Sequence, residues 1–583
     1  MTGSGATRPG SSETVHHGWL GDGAILAALH LPAVESSTGV VLCAPLAQEH
    51  VIAYRTQRLL ASTLASQGVA VVRFDHAGFG DSTVEATRDS LSLGPRLAAE
   101  ALRRSGCTKI IYAGFGSGAL VAATAARDDA EAVGVALVDP PASGRNWLRR
   151  ARTLYTVSLG PEVEPDPAGM ITIAGADLDG EVAAAIKALT LDQAPDRGMP
   201  VLAVIRRGTT LPANLANAHT TVVETDDLPG LFDASSITSR IPAESVAAAG
   251  AWLLEQAGAP SSTTRPAHPE LVSSVTLTEG CALLEERVVH VGPHRLFGIE
   301  TRPVLGGDDA PVVILHNGAS EHRIGASRYQ VVLARRLAEQ GIRSIRLDRR
   351  GTGETGAVVA DEPDLLYAAE WLEDGEEAVA YANVPTERLG IIGLCVGAWM
   401  ALVPTRVAPR FAVALSLGNY RTGPARHDQE ADGARTVQAA GWTPRLRDRA
   451  MTLAKKRLPY GVLLAGARRG HLQFAEPVLA APLAQGTDVV VVIGPSDTEI
   501  FEERRGHVAL GRLRGLPGSL RVVQLESGDH SLFSPGMRSR SIDEAVETAV
   551  GAFFPAGALP PVEQHADTRA SSTTSRDRPR ARV

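Results

Sequence analysis

Cysteine is scarce in this chain of 583 residues, which contains only Cys43, Cys107, Cys281 and Cys395. Their spacing provides neither a disulfide framework nor a Cys-x-x-Cys pattern for a metal. Free thiols persist in reducing compartments. The N-terminus also lacks a basic segment followed by an apolar core, as a secretory signal would have. We therefore expect a cytoplasmic protein.

Long hydrophobic runs and an excess of positive charge are absent as well. The most apolar stretch, residues 389–403, is shorter than the ~18 to 20 residues that a membrane-spanning helix needs. The net charge is -8 with both signs intermixed, which argues against a nucleic-acid surface. We find no glycine-rich phosphate loop and no cluster of metal ligands. The sequence thus predicts no cofactor, no metal, no nucleic-acid partner and no membrane span.

The chain does contain an internal repeat. Residues 40–82 and 312–355 each read as an apolar strand, a polar loop with Glu-His and then Arg, a helix, a second strand and a glycine-rich turn. A hairpin-like segment precedes each copy, at residues 16–32 and 287–303. The chain is therefore a duplication with divergence.

The pattern of elements predicts an α/β protein with two tandem domains. Alternating apolar strands and amphipathic helices favour a mainly parallel sheet covered on both faces, with reactive residues at the carboxyl ends of its strands. We place the domains at residues 13–258 and 275–556, joined by a Thr/Ser/Pro-rich linker at 259–274. Residues 1–12 and 557–583 lack apolar periodicity and are predicted to be disordered tails.

Each half contains a glycine-flanked turn between a strand and a helix. Residues 393–397 read Gly-Leu-Cys-Val-Gly, which matches the nucleophile elbow of α/β-hydrolases. Residues 114–118 read Gly-Phe-Gly-Ser-Gly, so Gly116 stands where a nucleophile would be. We interpret Cys395 as a nucleophile and both domains as α/β-hydrolase folds.

A thiol nucleophile needs a base, and in this fold the chain order is nucleophile, acid, histidine. Asp497 lies in the predicted loop after one strand, and His530 follows the next strand. We therefore predict a catalytic triad of Cys395, Asp497 and His530. Glu499 and Asp529 lie close in sequence and remain alternatives for the acid.

An oxyanion hole needs two backbone N–H donors. The sequence offers Val396, directly after the nucleophile, and Gly318 or Ala319 in the loop after an early strand. The N-terminus of the elbow helix and a nearby imidazolium would both favour the thiolate of Cys395.

The first half has lost each of these groups. Ser117 comes one position after the tip, and Arg206 and Arg207 stand where an acid is expected. Residues 224–232, which match the neighbourhood of the second half's histidine, contain none. We expect this domain to be degenerate and without independent catalysis.

These motifs resemble the two α/β-hydrolase-like proteins associated with exosortase A systems, which are usually separate chains. The second half is similar to the type 1 member in its Gly-Leu-Cys-x-Gly-Ala elbow, in the Arg-x-Gly-x-x-Arg of residues 323–328 and in the segments 497–501 and 529–533. The first half is similar to the type 2 member, whose elbow also lacks an ordinary nucleophile, at residues 45–49 and 140–154. The resemblance implies the fold and a cysteine nucleophile rather than a particular substrate. For Arg323 and Arg328 we favour a structural role, such as pairing with Asp348, over a grip on an anionic substrate.

A cysteine nucleophile suits exchange between thioesters. We therefore predict an acyl hydrolase or acyltransferase that forms an acyl-thioenzyme from a free or carrier-bound ester or thioester. Residues 419–460 are predicted to form a cap, with Tyr420 and Trp442 packing it onto the body or lining an acyl pocket. The first domain would then serve as an intramolecular pseudo-dimer partner. The alternative is a non-catalytic acyl-binding or scaffold protein, in which the thiol of Cys395 would not be unusually reactive.

Overall fold

The computed structural model describes residues 13–554, apart from 35, 160–162, 192–197, 218, 234–238, 260–270, 320, 358–365, 404–406, 426–459 and 469–471. The predicted tails, most of the predicted linker and most of the predicted cap, with Trp442, lie outside these residues. No helix within the described ranges is long and apolar enough to cross a bilayer.

The first half is built on a mixed sheet of eight strands, as far as it is described, in the order β1-β2-β4-β3-β5-β6-β9-β10. Its strands, together with the separate hairpin β7-β8, are β1 Glu13–Leu20, β2 Ile25–Pro32, β3 Thr38–Cys43, β4 Ala70–Phe74, β5 Lys109–Phe115, β6 Ala132–Val138, β7 Met170–Ile173, β8 Ala176–Asp179, β9 Val201–Arg206 and β10 Thr220–Thr225. The apolar strands β3, β4 and β5 are buried almost throughout, as central parallel strands covered on both faces must be.

Helices cover both faces of this sheet. They are α1 Gln48–Ser66, α2 Leu93–Arg104, α3 Ser117–Asp128, α4 Gly144–Leu159, α5 Gly180–Ala188, α6 Pro229–Phe232 and α7 Ala243–Ala257. The apolar sides of α2 and α3 fill the core on one face, and those of α1 and α7 fill the core on the other.

The second half repeats this plan. Its described sheet has nine strands in the order β11-β12-β13-β15-β14-β16-β17-β18-β19. The strands are β11 Ser274–Glu279, β12 Ala282–Val291, β13 Leu296–Pro303, β14 Val312–His316, β15 Arg343–Leu347, β16 Leu389–Leu394, β17 Phe411–Leu415, β18 Asp488–Ile493 and β19 Leu520–Gln524. The helices are α8 Tyr329–Glu339, α9 Ala369–Ala382, α10 Val396–Leu402, α11 Tyr460–Arg468, α12 Ala475–Ala484, α13 Pro495–Glu503, α14 Gly506–Arg512 and α15 Pro535–Phe553.

Both sheets begin with an antiparallel hairpin and continue with parallel strands. In the first half β3 pairs in parallel with β4 and β5, and in the second half β14 pairs in parallel with β15 and β16. The carboxyl ends of the central strands therefore meet at one edge of each sheet. The prediction of two tandem, mainly parallel sheets flanked by helices is confirmed.

The halves contact each other through equivalent surfaces. Arg73 and Arg346 occupy the same position in the repeated Arg-x-Asp sequence, and Asp81 and Glu354 the same position in the following turn. Arg73 pairs with Glu354 at 2.6 Å, and Arg346 pairs with Asp81. The arginine of each half therefore forms an ion pair with the acidic residue of the other half, as in an isologous dimer.

Arg323 and Arg328 also contribute to this interface. Arg323 lies 2.8 Å from Asp81 and 2.9 Å from Asp348. Arg328 donates hydrogen bonds to three backbone carbonyls of the first half, those of Gly78, Gly80 and Ser82. Both side chains therefore connect protein groups, which fits the structural role that we favoured.

Candidate active site

Cys395 lies at a sharp turn between β16 and α10. Its backbone has φ 55° and ψ -110°, a conformation that costs a residue other than glycine about 1–3 kcal/mol. A Cβ at Gly393 would lie 2.0 Å from the carbonyl oxygen of Gly397, and one at Gly397 would lie 2.4 Å from that of His316. The two glycines thus allow the turn that holds the half-buried thiol at the carboxyl end of a central strand.

His530 approaches this turn from the loop after β19. Its Nδ1 lies 2.7 Å from Oδ1 of Asp497, so the carboxylate favours the tautomer with hydrogen on Nδ1 and orients the ring. The side chain of Cys395 lies close enough to the imidazole to affect its protonation. Burial, the largest effect, lowers the pKa of His530, but the hydrogen bonds and negative charges of Asp497 and Cys395 together raise it well above its ordinary value. The site therefore stabilises an imidazolium beside the sulfur.

Asp497 is the carboxylate in contact with the imidazole. We expected it in a loop, but it lies in the first turn of α13, because Pro495 starts the helix directly after β18. Glu499 is exposed on the same helix. Asp529 instead accepts three backbone hydrogen bonds within its own loop, from Ser531, Phe533 and Ser534.

The loop after β14 faces the elbow. A Cβ added at Gly318 would lie 3.4 Å from the Cβ of Cys395. Arg349 donates to the carbonyl oxygens of Gly318, at 3.1 Å, and of Ala319, which holds this loop in place. Val396 is the first residue of α10, where backbone N–H groups have no partner within the helix. Gly318 and Val396, two of the predicted donors, thus lie next to the cysteine.

Sequence reasoning missed a buried carboxyl group in the loop that faces the elbow. Glu321 is buried, and burial raises its pKa to about 7, although a hydrogen bond from Gln48 of the first half and the charges of Arg349 and His530 oppose the rise. The only feature of the sequence that pointed to Glu321 was the Glu-His pair at the same place in each copy of the repeat. Its proximity to His530 required the structure.

The corresponding turn of the first half is filled by protein groups. Gly116 has a backbone much like that of Cys395, with φ 53° and ψ -127°. A Cβ there would lie 2.7 Å from the carboxylate of Glu49 and 3.0 Å from the ring of Phe232. Glu49 accepts hydrogen bonds from Ser117 through its N–H, at 2.9 Å, and its hydroxyl, at 2.8 Å. Glu49 thus takes the N–H that would stabilise an oxyanion in an active hydrolase.

One cavity among the described residues lies away from both elbows. This cavity of about 440 Å³ lies in the first half between α2, α3 and α5, and none of its lining residues belongs to either elbow. Among the described residues, no group of three His, Cys, Asp or Glu side chains is arranged to hold a metal ion. Tyr420, from the start of the predicted cap, is fully buried, and its ring centroid lies 6.2 Å from that of Phe501.

The strand order, the antiparallel hairpin at the sheet edge and the elbow after the central strand make each half an α/β-hydrolase fold.

No protein-family model and no curated protein matches the sequence. Among solved structures, Est1E from Butyrivibrio proteoclasticus is similar, with 18% identity, a TM-score of 0.31, and coverage of 42% of this chain and 98% of its own. The thioesterase domain from the curacin biosynthetic pathway is also similar, with 14% identity, a TM-score of 0.26, and coverage of 45% and 99%. Mouse alpha/beta hydrolase domain-containing protein 10 matches with 13% identity, a TM-score of 0.26, and coverage of 48% and 99%.

Proposed function

We propose that this chain is an acyl hydrolase or acyltransferase that uses Cys395, His530 and Asp497 and forms an acyl-thioenzyme from an ester or thioester of a biosynthetic pathway. The observation that carries the proposal is the position of His530, which is hydrogen-bonded to the buried carboxylate of Asp497 and whose pKa is raised by the elbow cysteine beside it. This is the arrangement of nucleophile, base and orienting acid that covalent acyl transfer requires.

In the first half-reaction, the thiolate of Cys395 forms a bond with the acyl carbon, and the carbonyl electron pair moves onto the oxygen. Backbone N–H groups of Val396 and of Gly318 or Ala319 stabilise that oxyanion. When the tetrahedral intermediate collapses, the bond to the leaving thiol or alcohol breaks. His530 gives its proton to the leaving group and becomes neutral.

In the second half-reaction, water, an alcohol or an amine attacks the acyl-thioenzyme and loses a proton to His530. The carbon–sulfur bond breaks, which restores the thiolate and the imidazolium. Asp497 keeps the ring oriented through both steps and stabilises its charged form. The choice between hydrolysis and transfer then depends on which acceptor reaches the acyl group.

We also propose that the first domain is a pseudo-dimer partner without catalysis of its own. Glu49 and Phe232 fill the space at its elbow, which leaves no position for a nucleophile at Gly116. The motifs quoted above support a relationship to the two exosortase A-associated hydrolases, with a type 2-like half and a type 1-like half fused in this chain.

Intact-mass spectrometry after brief incubation with a panel of acyl thioesters tests the proposed chemistry. We expect the wild-type protein to gain the mass of one acyl group and Cys395→Ala to gain none. His530→Ala should acylate at least about 10³-fold more slowly, because the thiolate loses its stabilising imidazolium.

An adduct that persists in Cys395→Ala would place the nucleophile elsewhere. The absence of an adduct and of turnover with every donor would favour the non-catalytic alternative, in which the fold binds an acyl group or holds an assembly together.

A further inference from the structure

The loop that carries His530 is held by a carboxylate of the first half. Glu164, which follows α4, accepts hydrogen bonds from the hydroxyls of Ser527 and Ser534, both at 2.7 Å. It also accepts one from the N–H of Gly536 at 3.0 Å. Ser527 precedes His530 by three residues and Ser534 follows it by four, so Glu164 binds the loop on both sides of the histidine.

Gly536 shows how closely the two halves approach at this point. A Cβ on Gly536 would lie 2.6 Å from Oε2 of Glu164. Gly536 belongs to the first turn of α15, where backbone N–H groups have no partner within the helix and a negative charge is stabilising. Burial, the largest effect, raises the pKa of Glu164, but the hydrogen bonds from Ser534, Ser527 and Gly536 and the charge of Arg538 outweigh it and lower the pKa. The carboxylate is therefore held in its charged form.

Two further contacts support the same loop from the first half. Arg538 forms an ion pair with Asp177 of β8 and donates to the carbonyl oxygens of Leu532 and Phe533. A small apolar cluster of Tyr155, Ala174, Ala326 and Phe533 joins α4 and the β7-β8 segment to the second half. Within the loop, Asp529 binds three backbone N–H groups. The loop is thus held by Asp529 from inside and by the first half from outside.

We propose that the first domain positions the catalytic histidine of the second, and that Glu164 is the positioning residue. The inference rests on the proposed function, because it assigns Glu164 to the placement of His530 between Asp497 and Cys395. Glu164 acts on the reaction only through the histidine loop.

The test compares Glu164→Ala and Glu164→Gln with wild type in the full chain. The control is Asp166→Asn, because Asp166 lies two residues away and pairs with Arg152 of the same half. We measure kcat and KM with the best thioester from the mass-spectrometric panel, and the rate of iodoacetamide alkylation of Cys395 across pH. Exposed Cys281 is the internal reference thiol.

We expect Glu164→Ala to lower kcat by about 10- to 100-fold with KM within about twofold, because a displaced histidine loses reactive geometry. Alkylation of Cys395 should slow towards the rate of the exposed reference thiol Cys281. Glu164→Gln should keep part of the wild-type kcat, because its carbonyl oxygen can still accept hydrogen bonds from the loop. Asp166→Asn should behave as wild type.

If wild-type Cys395 is no more reactive than Cys281 and forms no adduct, the proposed function is wrong and this inference is wrong with it. If wild-type Cys395 is reactive and both Glu164 variants keep its kcat and pH profile, only the positioning role is overturned. Should Glu164→Ala fail to fold, Ser527→Ala and Ser534→Ala each remove one hydrogen-bond donor to Glu164. Unchanged kcat and pH profiles in both serine variants would likewise overturn the positioning role.

Discussion

The same glutamate stands in the repeated Glu-His pair of each half and has two different environments. Glu49 accepts hydrogen bonds from Ser117 at an elbow without a nucleophile. Glu321 lies in the loop that faces the elbow with a cysteine, and its Oε2 is buried without a hydrogen-bond partner among the described residues. The difference between glycine and cysteine at the tip therefore accompanies a difference in what the neighbouring carboxyl group binds.

Glu321 gives a testable dependence of stability on pH. Its pKa is about 7 in the folded chain, whereas a glutamate exposed to water has a pKa of 4.5. As pH rises from 4.5 to 7 the unfolded chain releases this proton before the folded chain does, so folding becomes progressively less favourable, and the full loss persists above pH 7. Glu321→Gln removes this loss. Relative to wild type, its free energy of unfolding should be higher at pH 8 than at pH 5, by up to about 3 kcal/mol.

Urea denaturation of both proteins at the two pH values measures this difference. Glu499→Gln is the control, because this side chain is exposed on α13. An equal effect of Glu321→Gln at pH 5 and pH 8 would contradict the buried, protonated state.

At the scale of elements, the elbow depends on the close approach of backbone to backbone. Gly397 is the second residue of α10, where alanine would ordinarily be preferred to glycine. Its Cβ would meet the carbonyl oxygen of His316 at 2.4 Å. Close packing therefore outweighs helix propensity at this position.

Gly397→Ala should reduce stability by about 1–3 kcal/mol, because the new methyl group forces β14 and α10 apart. Acylation of Cys395 should fall by at least about 100-fold, since an error of about 1 Å in position has such a cost. Gly551→Ala in α15 has no heavy atom within 4 Å of the new Cβ and should stabilise the chain by about 0.5–1 kcal/mol. Thermal unfolding and acylation rates measure both variants, and a stabilising Gly397→Ala would contradict the steric account.

The sequence was sufficient for features that follow from strand order. Asp497 and His530 come directly after neighbouring parallel strands, so their proximity follows from the order of strand ends along the chain. The start of α13 before Asp497 could not be predicted from strand order, because a short polar segment after a strand suits a loop and a first helical turn equally. Glu164 had no sequence signal, since its partner loop lies more than 360 residues away and only docking of the halves joins them.

At the scale of the whole molecule, the interface between the halves contains buried charges. Arg346, Asp81 and Glu286 are each fully buried, and Arg346 lies between the two carboxylates. Such pairs add little net stability compared with apolar contacts, but the loss of one partner is costly because it leaves a buried charge unpaired. The halves should therefore unfold together rather than one after the other.

Arg346→Met should destabilise the chain by about 1–3 kcal/mol, since Asp81 and Glu286 lose a shared cation but keep Arg323 and Arg335 as partners. Its equivalent in the first half, Arg73→Met, should have a similar effect through Glu354. Differential scanning calorimetry should show one transition for wild type and a lower, broadened or divided transition for each variant. Wild-type stability in either variant would contradict the coupling of the halves through these ions.

The charged character of this surface also bears on synthesis of the chain. A ribosome completes residues 13–257 well before it makes the second half, and Arg73 and Asp81 must meanwhile face water. Charged side chains are well solvated there, whereas an apolar surface of similar size would attract other unfinished chains. The charged part of the contact thus keeps this region of the first half hydrated until its partner is made, although ion pairs add less to the final association than apolar contacts would.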